Sequence, residues 1–202
     1  MGVSRKPAVS LAAVPGRRKA TIELAQRFEQ EGFSGLYGPS LGDGLALAEA
    51  VALATREIPF GTTIANIYAR HPHDYAQTAA FLHEISGGRF RFGIGVSHGP
   101  TLARLKLTAG KPLEDMRRFV GELQTAAKQA GPLPPLVLAT LRQKMVALAG
   151  EVAQGRCGRT PHARTCPPRS AICPRRSART RASSSATWCR PASTPTGARP
   201  PP

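Results

Sequence analysis

Residues 1–155 contain no cysteine, so no disulfide can staple that part of the chain and a hydrophobic core must hold it alone. The other end lacks acid: from Arg156 to Pro202 there is no Asp, Glu or Lys, and Leu, Val, Met and Phe are absent as well. Ile172 and Trp188 are the large apolar groups left in a stretch that carries ten arginines, nine prolines and all four cysteines. Such a stretch buries too little apolar surface to offset its ordering entropy, which predicts disorder over 156–202 and one folded domain over 1–155. No run of about 18 apolar residues occurs, so no membrane-spanning helix is expected. The apolar run Ala8–Val14 stops at Pro15-Gly16, too early for a secretory leader, and a cytoplasmic chain is the resulting expectation. Cysteines 157, 166, 173 and 189 form no Cys-x-x-Cys pair, so no metal site is expected. No Ser-His-Asp order, His-Glu-x-x-His motif or phosphate-binding loop is present either, and no catalytic side chain is assigned.

What is present is an alternation of short apolar runs with helical patterns. Val9–Val14 reads as a strand, Arg17–Glu31 as a helix with Ala20, Leu24 and Phe28 on one side, and Gly32 as its left-handed stop. Strand Gly35–Gly38, helix Leu45–Arg56 and strand Ile58–Ile64 follow. Tyr75, Ala79, Leu82 and Ser86 share the face of a third helix that Gly87-Gly88 ends. Strand Phe90–Val96 alternates Phe90, Phe92, Ile94 and Val96 with Arg91, Gly93 and Gly95. Leu113, Met116, Val120, Leu123 and Ala127 give a fourth helix the spacing of a buried stripe, with Pro112 in its first turn and Glu114 and Asp115 at its positive end. Strand Leu136–Ala139 and a helix bearing Leu141, Met145, Leu148 and Val152 complete five β/α units. Regular alternation of this kind gives either an open doubly wound sheet or a closed eight-unit barrel. Period alone does not separate the two. A closed barrel needs roughly 250 residues, so in that architecture these are the first five units of an incomplete TIM (β/α)8 barrel.

One stretch is more specific than any period. Gly61-Thr62-Thr63 at a strand end, Arg70-His71-Pro72 at a helix start, Ser86-Gly87-Gly88-Arg89-Phe90, and Gly93-Ile94-Gly95-Val96 occur in this order and at these separations. Together they resemble the luciferase-like monooxygenase superfamily, and Pro112-Leu113, Met116-Arg117 and the Leu141–Glu151 stretch extend the similarity to about residue 154. The resemblance implies a (β/α)8 barrel and an oxidoreductase that uses flavin mononucleotide (FMN) or the deazaflavin coenzyme F-420 on a small-molecule substrate, in a parent enzyme that is a homo-oligomer.

In such a barrel the ligand lies at the C-terminal ends of the strands, which singles out Pro15-Gly16, Tyr37–Ser40, Thr62–Asn66, Gly95–Gly99 and Ala139-Thr140. The candidate cofactor-binding residues are Tyr37, Thr62, Thr63, Asn66, His71, Gly95, Ser97, His98, Gly99 and Thr140. Gly93 and Gly95 would let a flat ring approach the backbone, and Ser97, His98 and nearby N–H groups could bind a phosphate or ring carbonyl; a tight turn after the strand explains them equally. Asn66 both donates and accepts, as a flavin edge requires, and is equally a turn-former. Tyr37 could pack beside a ring or sit half-buried, His71 fits a helix first turn, and His73 and His83 read as surface or packing residues. Gly93, Gly95 and Gly99 also echo a dinucleotide fingerprint, but Pro100 and the absence of a helix right behind them argue against it.

The formal charge of +16 falls to +6 for residues 1–155 once the tail's ten arginines are removed. That tail motivates a nucleic-acid-binding alternative, although charge alone supplies only non-specific affinity, and no specific nucleic-acid or membrane partner is expected. Acidic residues and the family resemblance vanish together near Gln154-Gly155. Residues 156–194 also permit codons which, read one nucleotide earlier, encode Ala-Val-Trp-Ala-Asn and, further on, Asp-Pro-Gly-Phe-Phe-Ile-Gly. A single-base insertion or deletion near codon 155 explains both changes. Resequencing the gene is expected to reveal it, and an open frame without such a continuation refutes it. The chain itself is expected to be aggregation-prone and to purify with little flavin; a monomer with a sharp thermal transition and one flavin per chain contradicts this.

Overall fold

The structure is a computed structural model that describes residues 6–39 and 42–157. Seven strands, β1 (Val9–Ser10), β2 (Leu36–Gly38), β3 (Phe60–Thr62), β4 (Ala65–Asn66), β5 (Phe90–Gly95), β6 (Leu136–Ala139) and β7 (Gly155–Cys157), form one sheet. Six helices accompany them: α1 (Arg18–Gln30), α2 (Gly44–Ala54), α3 (Pro72–Ile85), α4 (Gly99–Arg104), α5 (Pro112–Ala130) and α6 (Gln143–Val152). Every strand pair is parallel, and the order β1-β2-β3-β5-β6-β7 follows the chain. A doubly wound sheet reverses its strand order at a switch point. No reversal occurs among the described strands, so the alternation resolves in favour of the barrel-type architecture, present as an incomplete one.

The sheet is curled. The Cys157 thiol on β7 donates to the Thr63 carbonyl beyond β3 at 3.4 Å. Three strand spacings would hold the two about 14 Å apart in a flat sheet. On the other face Phe60, Phe90 and Phe92 are fully buried under the helices, with Phe92 5.6 Å from Tyr75 of α3 and Tyr75 5.6 Å from Phe119 of α5. Helix α5 buries Met116, Val120 and Leu123 of the expected stripe and adds Phe119, while Leu113 and Ala127 at its ends are only half-buried.

The expected elements are present with several changes. Only Val9–Ser10 of the first apolar run pairs as a strand, although Leu11 N–H still donates to Tyr37 O at 3.1 Å. The third run is split in two by a bulge: Gly61 pairs with Arg91 but Ala65 with Ile94, so four steps on one strand face three on the other. Helix α4, unexpected from the sequence, stands directly behind Gly93, Gly95 and Gly99. The sheet also continues past the composition break, since Arg156 and Cys157 are buried in β7 rather than belonging to a solvated tail. Residues 158–202, on which the expected disorder and the change of frame fall, lie outside the described residues, as does Ser40.

Two charged side chains tie down the N-terminal ends of the strands. Arg89 uses all five of its donors: Nε to Ser86 O at 2.9 Å, Nη1 to Thr55 Oγ1 and Ile58 O at 3.0 and 3.2 Å, and Nη2 to Ala52 O and Thr55 O at 3.0 Å each. The guanidinium also sits 5.1 Å from the centroid of the Phe60 ring. The ends of α2 and α3 and the entry to β3 are thus joined by one group. Glu29 of α1 accepts from the N–H groups of Arg56, Glu57 and Ile58 at 2.8–3.1 Å. Burial alone would raise its pKa, but these three donors and the charge of Arg89 outweigh it and hold the carboxyl below its ordinary 4.5.

Arg89→Lys keeps the charge but not the fork, and leaves several carbonyls without a donor; a loss of about 2–4 kcal/mol is expected, read as a lower urea midpoint. Because the folded pKa of Glu29 is depressed, its contribution is complete above 4.5 and is lost as pH falls through the folded value. Acid unfolding of Glu29→Gln is therefore expected to show a shallower fall in stability below that pH than the parent chain, and identical slopes would refute the assignment.

Candidate functional site

At the opposite end of the sheet, where β2 to β5 finish, the chain encloses an open cleft of about 480 Å3. That size lies within the range of small-molecule sites. Its floor is Thr62, Ala65 and Asn66; its walls are the first turns of α2 and α3 and the inner side of α4.

The floor is set by the bulge. A Cβ on Gly93 would collide with the Thr62 carbonyl, so the strands approach closely there only because that residue is glycine. Thr62 Oγ1 then donates to Gly93 O at 2.8 Å and accepts from Gly93 N at 3.0 Å, replacing the ladder bonds that the bulge removes. Asn66, just beyond, accepts at Oδ1 from Tyr68 N at 3.1 Å, while its buried Nδ2 has no partner. Tyr75 closes the floor from α3, its hydroxyl donating to Asn66 O at 2.7 Å. Burial, helped by the charge of Asp43 and opposed by that of Arg70, pushes the phenol up to about 12, so it remains a donor at neutral pH.

One wall begins with Asp43. Its Oδ1 caps α2 by accepting from Leu45 N and Ala46 N at 3.1 and 3.2 Å, and its Oδ2 accepts from Arg70 Nη2 at 2.6 Å. The other wall is α4. Ser97 ahead of it and Lys106 behind it are the non-glycine residues with positive φ among the described ones, at 60° and 53°. Lys106 N donates to Ala103 O and Leu107 N to Leu102 O at 3.1 and 2.9 Å, which closes the helix in a Schellman turn with lysine where glycine is usual. A second tie holds this region from outside: the buried Asp115 carboxylate accepts from Tyr68 Oη at 2.8 Å, Gly110 N at 2.9 Å and Arg118 Nη2 at 2.7 Å. Burial first, then the Asp115 hydrogen bond and charge, raise the Tyr68 phenol well above its ordinary value.

Of the residues the sequence singles out, Thr62, Asn66 and Ser97 line the cleft. His98 and Gly99 open α4 but do not face it, and the His98 ring instead approaches Thr101 Oγ1 at 3.3 Å. The others serve the fold. The Tyr37 ring lies back over Gly35, where an added Cβ would be 2.8 Å from it, pointing away from the strand end. Thr63 spends its N–H on Gly38 O at 2.7 Å and its carbonyl on Cys157. His71 caps α3, its Nδ1 accepting from His73 N at 3.2 Å. The space beside Gly95 is filled by Ile64 and Ala139, whose atoms would lie 2.8 and 3.0 Å from an added Cβ, so no ring can enter there. Thr140 gives both its N–H and its hydroxyl to Cys157 O at 2.7 and 3.3 Å. Cys157 itself is pushed up to about 12 by burial and stays a thiol. Sequence reading missed Asp43, Thr101 and Arg104 as wall residues; the acid ahead of an apolar helix at Asp43 was the available signal.

The profile of the luciferase-like monooxygenase family matches residues 3–158. The chain belongs to that family. A 5,10-methylenetetrahydromethanopterin reductase from Methanolobus tindarius is 28% identical over 156 residues, which cover 65% of this chain and 47% of that protein. The coenzyme F-420 dependent tetrahydromethanopterin reductase of Methanopyrus kandleri superposes with a TM-score of 0.63 at 19% identity, covering 76% of this chain and 55% of its own. The FMN-bound oxygenating constituent of 3,6-diketocamphane monooxygenase from Pseudomonas putida gives 0.59 at 18%, covering 71% and 55%. The chain thus spans about half the length of the relatives it matches. Family membership accounts for the motifs that carried the resemblance, but these divide by location. Ser86-Gly87-Gly88-Arg89 builds the N-terminal end of the sheet, whereas Thr62 and Arg70 line the cleft.

Proposed function

We propose that the cleft at the ends of β3 to β5 holds one edge of an FMN or coenzyme F-420 ring, in an oxidoreductase that transfers a hydride to, or activates oxygen for, a small organic substrate. The observation that carries this reading is the buried Asn66 Nδ2, a donor with no acceptor, at the cleft floor. An unmatched buried donor costs about 1–3 kcal/mol, and both rings present carbonyl oxygens that would satisfy it. The bound cofactor would supply the electron chemistry. The protein's own groups would position it: Asn66 by hydrogen bonding, Thr62 by fixing the floor, and Tyr75 by keeping the Asn66 backbone in place as a neutral phenol. Tyr75 and Leu45 would keep water from the inner side of the ring.

The F-420 branch draws support from the Methanopyrus kandleri reductase and the FMN branch from the Pseudomonas putida oxygenase, each through its fold. The nucleic-acid alternative finds no support in the described residues, where the first arginine of the tail, Arg156, is buried.

Titration of FMN and of coenzyme F-420, followed by cofactor fluorescence, is expected to give saturable but weak binding of at least one of them. Asn66→Ala is expected to weaken it about tenfold, the equivalent of ~1.4 kcal/mol. No saturation with either cofactor, or an unchanged affinity in the variant, overturns the reading.

A further inference from the structure

Two opposite charges line the cleft as an anchored pair. Asp43 is held first: its Oδ1 accepts from Leu45 N and Ala46 N at the start of α2, which leaves Oδ2 for Arg70 Nη2 at 2.6 Å. Arg70 arrives from the other side, in the loop that leads from β4 into α3, so one ion pair spans the wall between the first turns of the two helices. The pair also acts on the cleft floor. Burial raises the Tyr75 phenol first, and after it come the charges of Arg70 and Asp43, which work on that phenol in opposite directions. The same hydroxyl donates to Asn66 O at 2.7 Å, so the field of the pair reaches the residue whose Nδ2 is the uncommitted buried donor of the floor. Stability gives little reason for such a pair. The Arg70 and Asp43 side chains are 37% and 50% exposed, and exposed ion pairs contribute little to folding.

We propose that the Asp43–Arg70 pair sets the electrical balance of the cleft, Arg70 favouring the reduced state of the bound ring and Asp43 limiting that preference. Hydride transfer from an organic donor adds two electrons and one proton to the ring, so one unit of negative charge arrives in a cleft that carries Arg70 in its wall. Charge placed near a cofactor ring is one of the means by which a protein tunes its electronics. Asp43 opposes the effect because it sits on the same guanidinium with the opposite sign, and its second role as helix cap keeps the distance between the two fixed. The inference rests on the cofactor reading above and adds to it the residues that would bias the redox equilibrium.

The test titrates FMN and coenzyme F-420, each in its oxidised and its chemically reduced form, onto the full chain and onto variants of the pair. The quantity read is the ratio of reduced-form to oxidised-form affinity. Arg70→Gln leaves Asp43 without its counter-charge, and the ratio is expected to fall at least about tenfold, equivalent to a potential lower by about 30 mV for a two-electron couple. Asp43→Asn keeps a good helix cap but frees Arg70 of its counter-charge, and the ratio is expected to rise. A merely structural tie would move both variants in the same direction. A ratio that does not fall in Arg70→Gln, or does not rise in Asp43→Asn, therefore overturns the proposal. Arg70→Lys keeps the charge and is expected to stay within about threefold of the parent ratio; a fall as large as that of Arg70→Gln overturns it as well. Binding with unchanged ratios defeats the charge assignment and leaves the cofactor reading intact, whereas no binding of either cofactor defeats the cofactor reading and the assignment with it.

Discussion

The guanidinium of Arg89 holds together what the strands alone do not. Parallel strands of two to six residues present ends whose backbone groups have no ladder partner, and helix C-termini add further bare carbonyls. At the N-terminal end of this sheet, four such carbonyls and one hydroxyl converge on a single side chain. The neighbouring Glu29 satisfies the N–H groups of the adjoining loop. Donor and acceptor demands of one loop region are thus met by one cation and one anion, and the positions of α1, α2 and α3 relative to β3 follow from that.

Fixing one end of the sheet frees the other to be irregular. The bulge between β3 and β4 turns the strand so that Thr62 bridges to Gly93 while Asn66 resumes pairing with β5. A regular ladder would have directed residues 62–66 along the sheet; the extra residue instead opens the floor of a cleft. The sequence motifs shared with the luciferase-like family therefore divide into a set at the closed end and a set that lines the cleft at the open end.

Much of the architecture was legible because helix and strand periods are local properties. The stripe of α5, the glycine stops after α1 and α3, and the proline starts of α3 and α5 all stand where the pattern puts them. What escaped detection was either short or decided at long range. Helix α4 has six residues and no apolar stripe, so no period announces it. In β7, Gly155, Arg156 and Cys157 are buried by their pairing with β6, which composition could not foresee in an arginine-rich segment. Among the candidate residues, Thr62, Asn66 and Ser97, which line the cleft, were recoverable because they lie at or just beyond strand ends. Tyr37, Gly95 and Thr140 also lie at or next to strand ends, yet their side chains or their missing Cβ answer to Gly35, to Ile64 and Ala139, and to Cys157. Such neighbours are set by the curl of the sheet, which no single segment encodes.

Tyr75 belongs to both halves of this arrangement. Its ring lies between Phe92 and Phe119 in the apolar interior, and its hydroxyl reaches the carbonyl of Asn66 at the floor of the cleft. Occupancy of the cleft and cohesion of the α3–α5 layer are consequently linked quantities: whatever steadies Asn66 from above also steadies the phenylalanine cluster below, and a loosened interior is felt as a weaker grip on anything bound.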